Sequence, residues 1–159
     1  RGRINEMADK FDDVEFFAGA RPWSVKCDVA LPCATQNEIS RQDAESLVKN
    51  GVRAICEGAN MPSVKEAIDC FQEAGLIFVP GKAANAGGVA VSGLEMTQNS
   101  MRIHWTAEEV DAKLLSIIQS IHGRCVEFGK HKQGIDYVSG ANIGAFTKIA
   151  DTMLAYGIV

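Results

Sequence analysis

Short apolar runs alternate along this chain with stretches whose apolar residues return every three or four positions, and this alternation predicts its elements. Ile4, Met7, Ala8 and Phe11 stand at the i, i+3, i+4, i+7 spacing of one helix face. A strand-like apolar run from Val14 to Phe17 follows, then a turn region at Gly19 and Pro22. Residues 27–31, with Asp28-Val29-Ala30-Leu31 running into Pro32, read as a buried strand. Ser40 with Asp43 three positions on forms a capping box in which Asp replaces the usual Glu. Ala44, Leu47 and Val48 share the face behind it, and Asn50-Gly51 stops the helix. The unit then repeats. Val52 to Cys56 reads as a strand, and Ser63 with Glu66 predicts a second capped helix carrying Val64, Ala67, Ile68 and Phe71 on one face. Gly75 ends that helix, and Leu76 to Val79 is a third strand.

Strands alternating with capped helices of about ten residues, joined by short turns, predict a parallel sheet with helical crossovers, so the fold class is α/β. Beyond the third strand the pattern changes. Val89 to Met101 is compatible with a helix, Thr106 with Glu109 is a third capping box, and Val110, Leu114, Ile117, Ile118, Ile121, Cys125 and Phe128 form one stripe ending at Gly129. Lys130 to Gly134 reads as a polar linker. Ile143, Phe146, Ile149, Ala150, Met153 and Leu154 make a last amphipathic helix before Gly157. No solenoid repeat or low-complexity segment interrupts the series.

Charge and cysteine usage narrow the partners. Sixteen Lys and Arg against twenty Asp and Glu give a formal net charge of −4, which argues against nucleic acid or an anionic membrane as partner. Five cysteines without a C-x-x-C pair fit neither a disulfide framework nor a zinc site, and point to a reducing, cytoplasmic compartment. His104, His122 and His131 are too scattered for a metal site, so none is expected. No apolar run reaches the roughly 18 residues of a membrane span. The first residue is Arg1 rather than Met, with helical spacing already under way, which points to a chain that begins inside a longer one.

Candidate chemistry lies in the three strand-to-helix loops, because open parallel sheets bind ligands beyond the carboxyl ends of their strands. They run Pro32-Cys33-Ala34-Thr35-Gln36-Asn37, Glu57-Gly58-Ala59-Asn60-Met61-Pro62 and Pro80-Gly81-Lys82-Ala83-Ala84-Asn85-Ala86-Gly87-Gly88. Each combines tiny residues, which let a flat ligand approach the backbone, with a carboxamide that can both donate and accept toward a nucleotide's amide and ribose hydroxyls. Gly, Asn and Pro also dominate ordinary turns. No Walker loop and no G-x-G-x-x-G occurs, and neither H-E-x-x-H nor a nucleophile elbow is present. Cys33 has no His in a recognisable signature, while Cys56, Cys70 and Cys125 fall on apolar faces and read as core. Glu57 and Lys82 are the ionisable carboxylate and amine of these loops, and no acid–base pair can be built around either from sequence.

The same loops carry a resemblance. Asp28 through Asn37, Glu57-Gly-Ala-Asn-Met-Pro62, and Pro80-Gly-Lys-Ala-Ala-Asn-Ala-Gly-Gly-Val-Ala90 followed by Ser92-Gly-Leu-Glu-Met96 and Gln98-Asn99 closely resemble the hexameric glutamate dehydrogenases, above all their NADP-dependent form. The likeness runs over essentially the whole chain, and the segment from Ala141-Asn142-Ile143 to Val159 is similar to that family's carboxyl terminus. Members catalyse reversible oxidative deamination of L-glutamate to 2-oxoglutarate and ammonia with hydride transfer to the nicotinamide. The resemblance therefore implies the carboxyl-terminal part of such an enzyme: NADP as cofactor, L-glutamate, 2-oxoglutarate and ammonium as partners, and a homohexamer in the full-length form.

It also implies an incomplete Rossmann-like parallel sheet followed by C-terminal helices. Residues 1–88 would be the later part of the nucleotide domain, and residues 89–159 the pivot helix and the helices returning toward a substrate domain. By similarity, Cys33, Ala34, Asn60 and Asn85 would contact the cofactor, and Val89 and Ser92 the distal carboxylate of glutamate. The family's catalytic lysine and aspartate and its Gly-rich phosphate turn fall before Arg1, so no catalytic residue carries over, and the fragment alone is expected to be inactive. The residues that choose NADP over NAD precede Arg1 as well, and the cofactor rests on overall similarity. Leucine, phenylalanine and valine dehydrogenases share Asn85-Ala-Gly-Gly88, but Pro80-Gly-Lys-Ala-Ala84 favours the glutamate enzymes. A reading of another class is a non-catalytic nucleotide-binding or oligomer-assembly piece.

Overall fold

The computed structural model describes residues 3–132 and 134–157. Strands β1 (Val29–Ala30), β2 (Ala54–Cys56) and β3 (Ile77–Val79) form a parallel sheet in the order β1-β2-β3, with Ala30 opposite Ile55 and Ile55 opposite Phe78. Helices α2 (Arg41–Lys49) and α3 (Lys65–Glu73) are the crossovers. Successive crossovers of one hand put both on the same face, where they pack on each other. Their apolar faces close a core in which Ile39, Ala44, Leu47, Ile55, Ala67 and Phe71 are fully buried and Phe71 stacks on Phe78 at 5.9 Å. The Ser40–Asp43 capping box forms, with Ser40 Oγ accepting from the Asp43 amide and Asp43 accepting from the Ser40 amide at 2.9 Å. Gly51 and Gly75 terminate α2 and α3 at φ of 84° and 68°, where a side chain would be strained.

The second half is helical: α4 (Gly81–Ala84), α5 (Ala86–Met101), α6 (Ala107–Gly129) and α7 (Tyr137–Tyr156). Thr106 and Glu109 cap α6 reciprocally. Asp136 caps α7 by accepting from the Val138 and Ser139 amides. Helix α7 folds back along α6 through glycines: a Cβ on Gly140 would overlap the Cys125 carbonyl oxygen, and one on Gly129 that of Asp136. Among the described residues no helix is long and apolar enough to cross a membrane.

Five sequence expectations need correction. The opening helix is one turn, α1 (Asn5–Ala8), and residues 14–17 form no strand; Ile4, Phe11, Phe16 and Phe17 are exposed, because no partner surface covers them. Ser63 does not cap α3. It makes a parallel bridge with Ile39, and the helix starts one residue later behind Val64. Residues 81–84 are a helical turn rather than loop. Lys130–Gly134 is no simple linker: β4 (Lys130–His131) and β5 (Gly134–Ile135) pair as a small antiparallel hairpin.

Candidate functional site

Beyond the strand ends the first two loops run side by side. The Pro32 carbonyl accepts from the Gly58 and Ala59 amides, both at 2.9 Å, Asn37 donates to the Met61 carbonyl at 2.9 Å, and Ile39 to that of Pro62 at 2.9 Å. Their approach is so close that a Cβ on Gly58 would overlap the Cys33 sulfur, which explains the tiny residues in this stretch. Glu38 reaches back to accept from the Ala34 amide at 3.1 Å, fixing the first loop's outer turn.

The third segment meets these two through Asn85, the junction between α4 and α5. Its Nδ2 donates to the Gly58 carbonyl at 3.2 Å and to Asn60 Oδ1 at 2.7 Å. A backbone carbonyl can only accept, so the Gly58 contact sets which end of the Asn85 amide faces the loop, and the Asn60 amide follows from it. Asn60 Nδ2 and Asn85 Oδ1, a donor and an acceptor, take no part in this bond.

Around this pair lies an open groove of about 700 Å³ lined by Cys33, Ala34, Thr35, Gln36, Gly58, Ala59, Asn60, Asn85 and Val89. Five of the six residues singled out from sequence, Cys33, Ala34, Asn60, Asn85 and Val89, meet there. The sixth, Ser92, sits further along α5 with its exposed hydroxyl donating to the Gly88 carbonyl at 3.3 Å; it shares with Val89 the i, i+3 relation that puts two side chains on one helix face. Thr35 and Gln36 line the groove without having been singled out, although the tiny-plus-carboxamide composition of their loop was the available signal. The expected boundary between residues 88 and 89 falls inside α5.

Apart from the Cys33 thiol, no titratable side chain among the described residues lines the groove. Burial pushes the neighbouring Cys56 thiol up, keeping it neutral. Lys82 leaves the groove and donates to Asn142 Oδ1 on α7 at 2.7 Å, lining a separate cavity with Arg124 and Lys148. Glu57 is buried and unavailable to solvent. His122 contacts the Tyr137 hydroxyl at 3.1 Å, and among the described residues no cluster of His, Cys, Asp and Glu is set to hold a metal.

Residues 1–157 match the family model of Glutamate/Leucine/Phenylalanine/Valine dehydrogenase. A glutamate dehydrogenase of Bacteroides thetaiotaomicron is 56% identical over 160 residues, covering 100% of this chain and 36% of that protein. The NADP-specific glutamate dehydrogenase of Escherichia coli is 54% identical, covering 99% of this chain and 35% of that protein. A solved structure of Plasmodium falciparum glutamate dehydrogenase 2 superposes with a TM-score of 0.92 at 46% identity, covering 98% of this chain and 34% of that one. The chain thus spans about a third of the length of the relatives it matches.

Proposed function

Because the chain belongs to the glutamate/leucine/phenylalanine/valine dehydrogenase family, we propose that it is the part of an NADP-dependent glutamate dehydrogenase that holds the nicotinamide end of the cofactor. The whole protein would carry out reversible oxidative deamination of L-glutamate to 2-oxoglutarate and ammonium, in the cytoplasm and as a homohexamer. The observation that carries this reading is the Asn60–Asn85 amide pair at the floor of a groove lined by Cys33 and Ala34. A donor and an acceptor on two bonded amides suit a carboxamide or a ribose diol, and the small side chains beside them let a flat ring lie against backbone.

Bound there, NADP supplies the hydride acceptor. Cys33 and Ala34 would offer small side chains to the ring, Asn60 would donate from Nδ2, and Asn85 would accept at Oδ1. Val89, on the first turn of α5, adds an exposed apolar side chain to the lining of the groove. Val89 and Ser92, on one helix face, orient the distal carboxylate of glutamate, with the weakly engaged Ser92 hydroxyl turning to donate. Among the described residues none that lines the groove is a carboxylate, imidazole or amine, so the proton transfers of deamination would fall to groups outside this chain, and the chain alone would be inactive. Residues 1–88 then serve as the nucleotide part, and residues 89–159 as the pivot and returning helices.

The test is NADP reduction by the full-length protein with L-glutamate, leucine, phenylalanine or valine in turn, at matched enzyme concentration. Glutamate is expected to be the favoured substrate by a clear margin in kcat/KM. Reduction driven instead by a branched or aromatic amino acid reassigns the substrate, and no reduction with any of them sinks the reading.

A further inference from the structure

The proposed reaction leaves one buried ionisable group unused. Glu57 is 3% exposed, and among the described residues it is the buried charged side chain. A carboxylate taken out of water costs several kcal/mol unless its oxygens are satisfied, and backbone amides satisfy these rather than a cation. Oε1 accepts from the Ser63 amide at 3.3 Å, and Oε2 accepts from the Gly81 amide at 2.8 Å. Glu57 therefore ties its own loop at both ends: to the start of α3, and across 24 positions to the first residue of α4.

At that second point the chains are in hard contact. A Cβ on Gly81 would lie 2.7 Å from the Ala59 carbonyl oxygen and 3.6 Å from Glu57 Oε2. One helical turn later, with the Asn85 amide bonded to the Gly81 carbonyl at 2.9 Å, the Asn85 side chain reaches Gly58 and Asn60. Glu57, Gly81, Asn85 and Asn60 are thus joined in series, and the last two line the groove.

We infer that Glu57 is a positioning residue for the dinucleotide groove. Through the Gly81 amide it sets where α4 begins, and α4, a single rigid turn, sets the height at which Asn85 meets Asn60. This rests on reading the groove as the dinucleotide site. Replacing one carboxylate oxygen with an amide nitrogen, which cannot accept, keeps the shape of the side chain but leaves one of the two backbone amides without its acceptor, so the start of α4 loosens and the amide pair loses its alignment.

The experiment is Glu57→Gln in the full-length protein, with NADPH affinity by fluorescence titration, steady-state constants for both substrates, and thermal melting. A roughly tenfold rise in the NADPH Kd and the NADP KM is expected, the scale of one hydrogen bond to a charged group, with a smaller change in glutamate KM. A lower melting temperature with unchanged NADPH Kd in the folded fraction overturns the inference, because a purely structural strut behaves that way. If the Gln variant does not fold, Glu57→Asp keeps the charge but draws the carboxylate back by one methylene. A several-fold loss of NADPH affinity supports the inference, and wild-type affinity overturns it. Wild-type protein that binds no NADPH sinks the reading of the groove itself, a result told apart because it precedes any substitution.

Discussion

Residues 28–80 and residues 103–157 both carry apolar residues at helical spacing and dispose of them in different ways. In the first region six side chains, from Ile39 to Phe71, are fully buried against one another. In the second, the buried residues among those described are Cys125, Gly129, Gly140 and Gly144, while Phe146 and Leu154 on α7 stay 64% and 81% exposed. The sheet half is held by side chains filling a common volume; the helical half is held by backbone meeting backbone and by caps. An apolar stripe at helical spacing therefore says that a face seeks cover, and only the three-dimensional arrangement says whether this chain provides it.

Three changes would break or sharpen that contrast. Phe71→Ala removes the largest fully buried side chain and should cost about 3–5 kcal/mol in a denaturant melt; a loss below about 1 kcal/mol would mean the core is not continuous. Asp136→Ala should cost about 1–2 kcal/mol, because it strips the α7 start of its acceptor. That effect has a pH signature. Burial pushes the Asp136 carboxyl up, but bonds from Ser139 and Val138 and the nearby His131 outweigh it and hold the folded value below the ordinary one. A carboxylate lowered on folding contributes above its unfolded pKa and loses that contribution as pH falls through the folded value. The gap between wild type and variant should accordingly be full near neutrality and close in acid; a gap independent of pH would detach the cap from the charge. Phe146→Ser should move stability by less than about 0.5 kcal/mol in this chain, since the side chain is already in water. A loss on the scale of Phe71→Ala would show that the helical half buries more than its static structure records.

Much of the first region was legible because its signals are local. Ser40 and Asp43, like Thr106 and Glu109, cap within three residues, so spacing alone finds them. Ser63 and Glu66 have the same spacing and do not cap, because the Ser63 amide is claimed by Glu57 and the residue is drawn into a bridge with Ile39. Long-range partners erased a local signal there. For the same reason the role of Glu57 could not be read: its acceptors face amides 6 and 24 positions away, one of them on a glycine with no side chain to advertise the contact. The groove itself was readable, since tiny residues beside a carboxamide recur in all three loops. Which amide of the pair donates was not, because it depends on the Gly58 carbonyl.

The contact between α6 and α7 bears on how sequences of this fold can drift. At Gly140 and Gly129 any other amino acid would place a carbon on a carbonyl oxygen of the facing segment. Exposed neighbours such as Phe146 and Ile149 can be exchanged one at a time through tolerable intermediates, but these two positions offer no single step that keeps the helices together. Lineages that leave glycine there have to move both helices apart at once, so the two glycines should be among the slowest-changing letters of the chain, although they carry no chemistry at all.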